Sequence, residues 1–238
     1  GEVRLWSMQG TMVKEWNFPS AALILSLQYC SEESGESWKN GSLLVATGEK
    51  RVWEIVADTE DQQQLVLQAH VGDIWGVDVD VAQQQFITGG DDGWVCVWDV
   101  RSPYVPLSSR QMGCPVRAVA LHPSPSAPTV AVGLENGKID ILDYETLSTV
   151  QSIKAGEESV YVLRYAPNGS ILAAVASDSQ VQLFAVERNY EVYGFLAGGH
   201  KLFITHLDWD VSSTFMVTNG ADYEVSFWEV AKMHLVAN

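Results

Sequence analysis

The sequence predicts an all-β protein built from a repeated unit of four short strands. The clearest copy is the stretch 86–100, FITGGDDGWVCVWDV, in which two runs of β-branched and aromatic residues flank a turn of glycine and aspartate. Such a turn favours a hairpin because these residues tolerate a positive φ angle. A similar strand end recurs six times, and its last large apolar residue is in turn Trp6, Trp53, Trp98, Leu142, Phe184 and Trp228.

The spacing of these strand ends sets the size of the unit. Successive positions lie 47, 45, 44, 42 and 44 residues apart. Upstream of the hairpins, alternating segments align without gaps at 74–79, 116–121, 160–165 and 204–209. A period of about 40 to 45 residues and a strand that ends in Trp-Asp are typical of WD40 repeats. The sequence therefore predicts a WD40-type β-propeller with about five complete four-stranded blades, plus an extra N-terminal strand at 3–7.

The number of blades bears on how the ring is completed. We expect a single propeller segment over residues 1–238, with a polar insertion at 30–42 in the first complete unit. Propellers usually have about 4 to 8 blades, and an open ring leaves strand edges unpaired. The chain is therefore expected to be a fragment of a longer protein with a larger propeller. The alternative is a distorted five-bladed ring that is sealed by the strand at 3–7.

Composition narrows the class of protein. With 47% hydrophobic residues the chain can bury a core, and no apolar run approaches the roughly 20 residues of a membrane span. The net charge of −16 argues against nucleic acid or an anionic membrane as the main partner. The three cysteines, Cys30, Cys96 and Cys114, form no CxxC pair. We expect them to be reduced thiols of an intracellular protein.

The third and sixth units each carry a histidine, a threonine, an aspartate and a tryptophan. The threonine and the aspartate stand ten and six residues before the tryptophan in both units. In WD40 repeats, which these units resemble, such a quartet forms a structural hydrogen-bond network. A nucleophile would need exposure beside an oxyanion hole, whereas these hydroxyl groups lie in apolar strands. The eight residues of the expected network are His70, Thr88, Asp92, Trp98, His200, Thr218, Asp222 and Trp228.

We therefore expect no enzymatic activity, and a propeller hydrolase that uses His70 or His200 with a threonine is the remote alternative. The histidines show no zinc-ligand spacing. Neither a GxxxxGK[ST] phosphate loop nor an EF-hand spacing occurs in the sequence. The expectation is that the protein uses no metal, no cofactor and no small-molecule substrate.

Propellers bind their partners on their faces, so positions that open toward a face are candidate binding residues. The second residue of each inner strand is such a position, and it is occupied by Leu25, Trp75, Arg117, Tyr161 and Thr205. By the same alignment the hairpin turns contribute Asp91, Glu135, Ser177 and Ala221. Trp, Arg and Tyr are enriched at interface hot spots, although some of these residues could instead pack on a neighbouring blade. The candidate partner-binding face consists of Trp75, Asp91, Arg117, Glu135, Tyr161, Ser177 and Thr205.

The last unit is the most specific part of the sequence. Its segment 203–209, FITHLDW, and its hairpin 219–228, NGADYEVSFW, closely resemble a repeat of the echinoderm microtubule-associated protein-like family. The segment 73–77, DIWGV, resembles the start of that family's second propeller. Departures from the family pattern are Ala221 in place of glycine, the turn Asp210-Val211 and the insertion at 30–42.

The resemblance implies part of a tandem pair of propellers in a noncatalytic, microtubule-associated protein of the cytoplasm and cytoskeleton, including that of a cilium or flagellum. The implied partner is tubulin or the microtubule, bound through a propeller face. Because tubulin is acidic, a chain with a charge of −16 would be repelled at long range, and affinity must come from shape and local contacts. No motif identifies a particular tubulin contact. The alternative in the same class is a generic WD40 scaffold in a ciliary or ubiquitin-ligase complex.

Overall fold

The structure is a computed structural model that describes residues 2–18, 23–48 without 31–41, 50–56, 63–102, 104–124, 128–176 and 179–237. The chain divides into two compact units. Unit 1 comprises residues 1–71 and 102–105, and unit 2 comprises residues 72–101 and 106–238. Residues 102–105 belong with unit 1 in keeping with a hydrogen bond from the Gln68 backbone N–H to the Tyr104 carbonyl oxygen.

Unit 1 contains a two-stranded and a four-stranded antiparallel sheet. Strands β1 and β2 pair with Val3 opposite Trp16, and β3 to β6 form the second sheet in chain order. The core of the unit consists of Val3, Trp16, Phe18, Val45 and Ile55. The strands are β1 (Glu2–Trp6), β2 (Met12–Asn17), β3 (Ile24–Cys30), β4 (Ser42–Thr47), β5 (Arg51–Val56) and β6 (Gln63–Gln68).

Unit 2 contains four antiparallel sheets of four strands, and each sheet uses its strands in chain order. Two one-turn 3₁₀ helices, Val186–Arg188 and Val230–Lys232, follow the third strands of the last two sheets. The strands are β7 (Ile74–Asp80), β8 (Gln85–Gly90), β9 (Trp94–Asp99), β10 (Ser108–Gln111), β11 (Val116–Leu121), β12 (Thr129–Leu134), β13 (Lys138–Asp143), β14 (Thr149–Lys154), β15 (Val162–Tyr165), β16 (Ile171–Val175), β17 (Val181–Ala185), β18 (Glu191–Leu196), β19 (Ile204–Trp209), β20 (Phe215–Gly220), β21 (Val225–Glu229) and β22 (His234–Ala237).

The sheets of unit 2 pack face to face, and each pair of neighbours encloses its own apolar layer. Ile87 and Val95 meet Val119 between the first two sheets. The second and third sheets, and then the third and fourth, enclose two further layers. Apolar residues on both faces of the middle sheets are thereby removed from water, which is the main source of stability in such a stack.

The predicted all-β fold of WD40-type blades is confirmed, with five four-stranded sheets among the described residues. The N-terminal addition differs in detail, because it has two strands rather than one. Strand β15 begins at Val162, two residues later than expected, since the Val160 N–H donates to the Leu134 carbonyl of the preceding sheet. The greater part of the predicted insertion, residues 31–41, lies outside the described residues.

Candidate functional site

In four of the sheets, a β-bulge lies near the start of the inner strand, which is the first strand of the sheet. The bulge changes the direction in which one side chain of that strand points. In β7 the pairing with β8 passes from Ile74 directly to Gly76, so Trp75 is the extra residue. The same shift makes Arg117 the extra residue of β11 and Thr205 that of β19. In unit 1, Leu25 has this place in β3. Because a bulge re-aims the extra side chain, the four residues leave the pleat of their own sheets.

Four of the predicted face residues form one connected group in unit 2, which we call the rim cluster: Trp75, Asp91, Arg117 and Glu135. The Trp75 indole Nε1–H donates to Asp91 Oδ1 at 2.9 Å. The Arg117 guanidinium donates from Nη1 to the same oxygen at 2.5 Å and from Nη2 to Glu135 Oε1 at 2.7 Å. Its Cζ atom lies 5.1 Å from the centroid of the Trp75 ring. Two bulged strands and two hairpin turns thus meet at one arginine.

Exposure differs sharply within the rim cluster. The Arg117 side chain is only 15% exposed, whereas those of Asp91 and Glu135 are 36% and 46% exposed. Trp75 is 55% exposed. The hydrogen bond with Glu135 and the charges of both carboxylates raise the pKa of Arg117, against the effect of its partial burial. Arg117 therefore stays charged and holds the ring and the two acids in place.

The backbone positions the two carboxylates. The Asp91 N–H donates to the Asp73 carbonyl at 2.9 Å, and the Glu135 N–H donates to the Pro115 carbonyl at 3.0 Å. Each acid begins a hairpin turn that closes on a glycine with a positive φ angle, Gly93 in the first turn and Gly137 in the second. The turns therefore fix the acids against the loops that precede the inner strands.

Among the described residues, the other predicted face positions, Tyr161 and Thr205, do not join these hydrogen bonds. Tyr161 is half exposed, and its backbone N–H donates to the Val175 carbonyl just before β15 begins. The Thr205 hydroxyl donates to the Asn219 carbonyl and accepts a bond from the Asn219 side chain. Ser177 lies outside the described residues. Their part in a common binding face stays a prediction.

The four network residues of the last sheet form a continuous chain of hydrogen bonds. Trp228 Nε1–H donates to Thr218 Oγ1 at 2.9 Å, and His200 Nε2 lies 2.8 Å from the same oxygen. His200 Nδ1 lies 3.2 Å from Asp222 Oδ1. Because a carboxylate only accepts, Nδ1 carries a proton, and Nε2 can accept from the threonine hydroxyl. All four side chains are satisfied in this arrangement.

Asp222 is held by the backbone as well. The Lys201 N–H donates to its Oδ2 at 2.7 Å, and the Glu224 N–H donates to its Oδ1 at 3.3 Å. The bond from Lys201, followed by the interactions with His200 and Glu224, lowers the pKa of Asp222 to about 2. The carboxylate thus ties the loop before β19 to the β20–β21 hairpin.

The third repeat contains the corresponding tryptophan contact. Trp98 Nε1–H donates to Thr88 Oγ1 at 2.7 Å, and Asp92 Oδ1 accepts from the Trp94 N–H at 3.1 Å. These residues belong to unit 2, whereas the buried His70 belongs to unit 1. The Thr88 and Thr218 side chains are buried, so neither hydroxyl is presented to a substrate.

Outside the rim cluster and the hydrogen-bond networks, two features of the described residues bear on chemistry: a buried thiol group and the arrangement of potential metal ligands. Burial raises the pKa of the Cys96 thiol to about 12, which makes it unreactive at neutral pH. The described part of the chain contains no group of three or more His, Cys, Asp or Glu side chains that could hold a metal ion. Over the same residues, no helix has the length and hydrophobicity needed to cross a membrane.

Sequence reasoning found the members of the rim cluster but missed that they bind one another. The available signal was the alignment of neighbouring repeats, which places an aromatic ring, an arginine and two acids at equivalent ends of adjacent blades. It also gave Asp78 no structural role. Its Oδ2 accepts the Leu121 N–H at 2.7 Å and so links β7 to β11.

Stacked four-stranded antiparallel blades of this kind, with tryptophan–threonine bonds, define a WD40-type β-propeller protein. Residues 74–238 match the family model described as the second β-propeller of echinoderm microtubule-associated protein. Since this match covers more than half of the chain, the chain belongs to the echinoderm microtubule-associated protein family, as the sequence motifs indicated.

Similar proteins carry the same family name. The chain is 34% identical over 165 residues to human echinoderm microtubule-associated protein-like 1, a match that covers 68% of this chain and 20% of the relative. It is 37% identical over 169 residues to human echinoderm microtubule-associated protein-like 2, with 70% and 26% covered. For the mouse form of the latter, identity is 36% over 167 residues, with 69% and 25% covered. The chain thus spans about a fifth to a quarter of the length of these relatives.

Proposed function

We propose that this chain is a noncatalytic protein-interaction platform of a microtubule-associated protein, and that it binds tubulin or microtubules through the end of unit 2 that carries the rim cluster. The relatives are described by their names as microtubule-associated. The cellular setting that goes with this proposal is the cytoplasmic cytoskeleton, including the microtubules of a cilium or flagellum.

The exposed Trp75 side chain is the observation that carries the proposal. A large ring that is 55% exposed yet fixed by a hydrogen bond and a stacked guanidinium loses little conformational entropy on binding. Tryptophan and arginine are enriched among the few residues that contribute most of the binding energy of protein interfaces. The surface is therefore preorganised for binding a protein partner.

The absence of catalysis is supported by the surroundings of the two threonines. Each hydroxyl is buried and accepts the N–H of a tryptophan, so its position is that of a structural bond. A hydrolase would need one of them exposed in a cleft beside donors for an oxyanion. The rim cluster itself contains no hydroxyl or thiol side chain.

Co-sedimentation of the purified 238-residue chain with polymerised microtubules tests the proposal. We expect the wild-type chain to pellet at micromolar concentration and Trp75→Ala to bind about 5- to 30-fold more weakly, since interface hot spots contribute about 1 to 2 kcal/mol or more. Tyr193→Ala, which removes a partly exposed ring from the outer strand β18, is the matched control and should bind like wild type.

Two results would contradict the proposal. Absence of the wild-type chain from the pellet would rule out microtubule binding by this segment. Equal pelleting of wild type and Trp75→Ala would place the contact on another surface. Thermal unfolding of the wild-type chain and the variants shows whether each protein is folded, so that a loss of binding is not mistaken for misfolding.

A further inference from the structure

The carboxylates of the rim cluster keep unused acceptor capacity. Both hydrogen bonds to Asp91 end on Oδ1, and the bond from Arg117 to Glu135 ends on Oε1. The second oxygen of each acid is therefore available to a partner, and both side chains are partly exposed. One arginine neutralises two acids only in part, so the rim cluster has a net charge of −1.

Acidic residues also dominate the surroundings of the rim cluster. The loop before β15 carries exposed Glu157 and Glu158, and the Ser159 hydroxyl in this loop donates to the Glu135 carbonyl at 3.0 Å. Asp73 is exposed beside Trp75. Lys154, which pairs with Glu157 at 3.1 Å, offsets one of these charges. The charged side chains nearest to the rim cluster are therefore mostly acidic.

One face of the Trp75 ring is in contact with Arg117. Arg117 lies over that face at 5.1 Å, while more than half of the residue is accessible to solvent. A tryptophan face attracts a cation through its quadrupole, and an arginine or lysine side chain can lie on it while its head group reaches nearby carboxylates. The partly exposed Trp75 side chain thus belongs to the same hydrogen-bonded cluster as two carboxylates that each keep one free oxygen.

We infer that the rim cluster is the docking site for a basic segment of the protein partner, with a lysine or arginine side chain that lies against the exposed part of Trp75 and pairs with the free oxygens of Asp91 and Glu135. This inference rests on the proposed function and specifies which part of the partner is bound. A partner that is acidic overall can be bound in this way through a local basic segment. An acidic segment would be repelled here, and an apolar segment would cover the carboxylates without replacing their water.

Fluorescence anisotropy with labelled peptides tests the inference on the full chain. The probe is a tetra-arginine peptide, and a tetra-glutamate peptide of equal length is the negative probe. We expect Trp75→Leu to weaken tetra-arginine binding about fivefold, as for an exposed cation–π contact. Asp91→Asn with Glu135→Gln should weaken it about tenfold, while the amide oxygens still accept the bonds from Trp75 and Arg117.

The matched control removes the same charge elsewhere. Glu145→Gln with Glu187→Gln removes two exposed carboxylates, one from a turn and one from the 3₁₀ helix Val186–Arg188, and Glu145 lies at the opposite end of β13 from Glu135. This control separates a specific site from general attraction to a chain of charge −16. If both double variants weaken tetra-arginine binding equally, or if Trp75→Leu has no effect, the inference is wrong. Trp75→Leu leaves the ion pairs untouched, so it still decides the question if the rim double variant does not fold.

Competition against tubulin distinguishes failure of this inference from failure of the proposed function. Displacement of tubulin by tetra-arginine from the wild-type chain supports both. Tubulin binding that resists the peptide overturns the basic-segment inference and leaves the proposed function standing. Peptide binding that depends on the rim cluster, without any tubulin binding, overturns the proposed tubulin function and retains the docking site.

Discussion

At Thr218, one hydroxyl group joins three parts of the last sheet. It accepts the indole N–H of Trp228 on β21 and lies in hydrogen-bond contact with His200, which in turn contacts Asp222. Because Thr218 is only 1% exposed, no water can replace the hydroxyl if it is removed. An unpaired buried donor costs more than an ordinary hydrogen bond contributes. The stability of this blade therefore depends on single atoms of the network, such as the Thr218 hydroxyl oxygen.

Thr218→Val should lower the free energy of unfolding by about 2 to 3 kcal/mol, because it leaves the Trp228 N–H and a His200 nitrogen without their partner. Urea denaturation followed by tryptophan fluorescence measures this change. Thr205→Val on the same sheet is the control, since its hydroxyl is exposed, and it should cost about 0.5 kcal/mol. Equal effects of the two substitutions would mean that the network adds nothing to stability.

Asp222 gives the last sheet a dependence on pH. Its pKa is lowered to about 2, chiefly by the bond from the Lys201 N–H, so the folded state favours the charged form more than the unfolded state does. The resulting stability is present above the unfolded pKa of about 4 and is lost as the pH falls toward about 2. Asp222→Asn should therefore flatten the dependence of unfolding free energy on pH in this range.

Urea denaturation at a series of pH values between about 4 and about 2 measures this slope. Thr205→Val removes no titratable group and should leave the slope as in wild type. A slope for Asp222→Asn that equals that of wild type would show that the Asp222 contacts do not favour its charged form.

At the scale of the strand, the bulges and the close packing of the inner strands determine the positions of the rim-cluster residues. The sequence predicted most strands from alternation and turn residues, since these depend on local chemistry. It did not predict β2, because Lys14 and Glu15 interrupt the apolar pattern and only Trp16 of this strand is buried. It could not show that Asp91 and Arg117 meet, because bulges and contacts between repeats depend on pairing in three dimensions.

Gly76 lies where the inner strands β7 and β11 approach each other closely. A Cβ atom at this position would lie 2.8 Å from the Val119 backbone nitrogen and 3.0 Å from the Ala118 carbonyl carbon. Backbone atoms cannot turn away as a flexible side chain can. We expect Gly76→Ala to destabilise the fold by about 2 kcal/mol through overpacking.

Thermal unfolding of the variants checks this expectation. Gly156→Ala is the matched control, because the nearest atom to its added Cβ would be 4.0 Å away and its backbone has no positive φ angle. It should change stability by about 0.5 kcal/mol or less. A stable Gly76→Ala variant would show that β7 and β11 are not packed so tightly.

At the scale of the whole molecule, net charge and local charge have different roles. The charge of −16 opposes approach to an acidic partner over distances of about a Debye length, roughly 8 Å at physiological salt. The proposed docking at the rim cluster would act at contact distance, where one ring and two acids select a basic segment. Family membership was predictable from short motifs in the last repeat, because these are specific in sequence. The hydrogen bonds within the rim cluster were not predictable, because they join residues from two repeats.

Hydrogen–deuterium exchange of the chain with and without tubulin tests the central claim most directly. Our account predicts slower exchange on tubulin binding at 72–76, 90–93, 115–118 and 135–137, the segments that hold the rim cluster. Exchange at the opposite ends of the strands, including 144–148, should stay unchanged. Protection confined to other segments, or no protection at a tubulin concentration that binds the chain, would contradict the account.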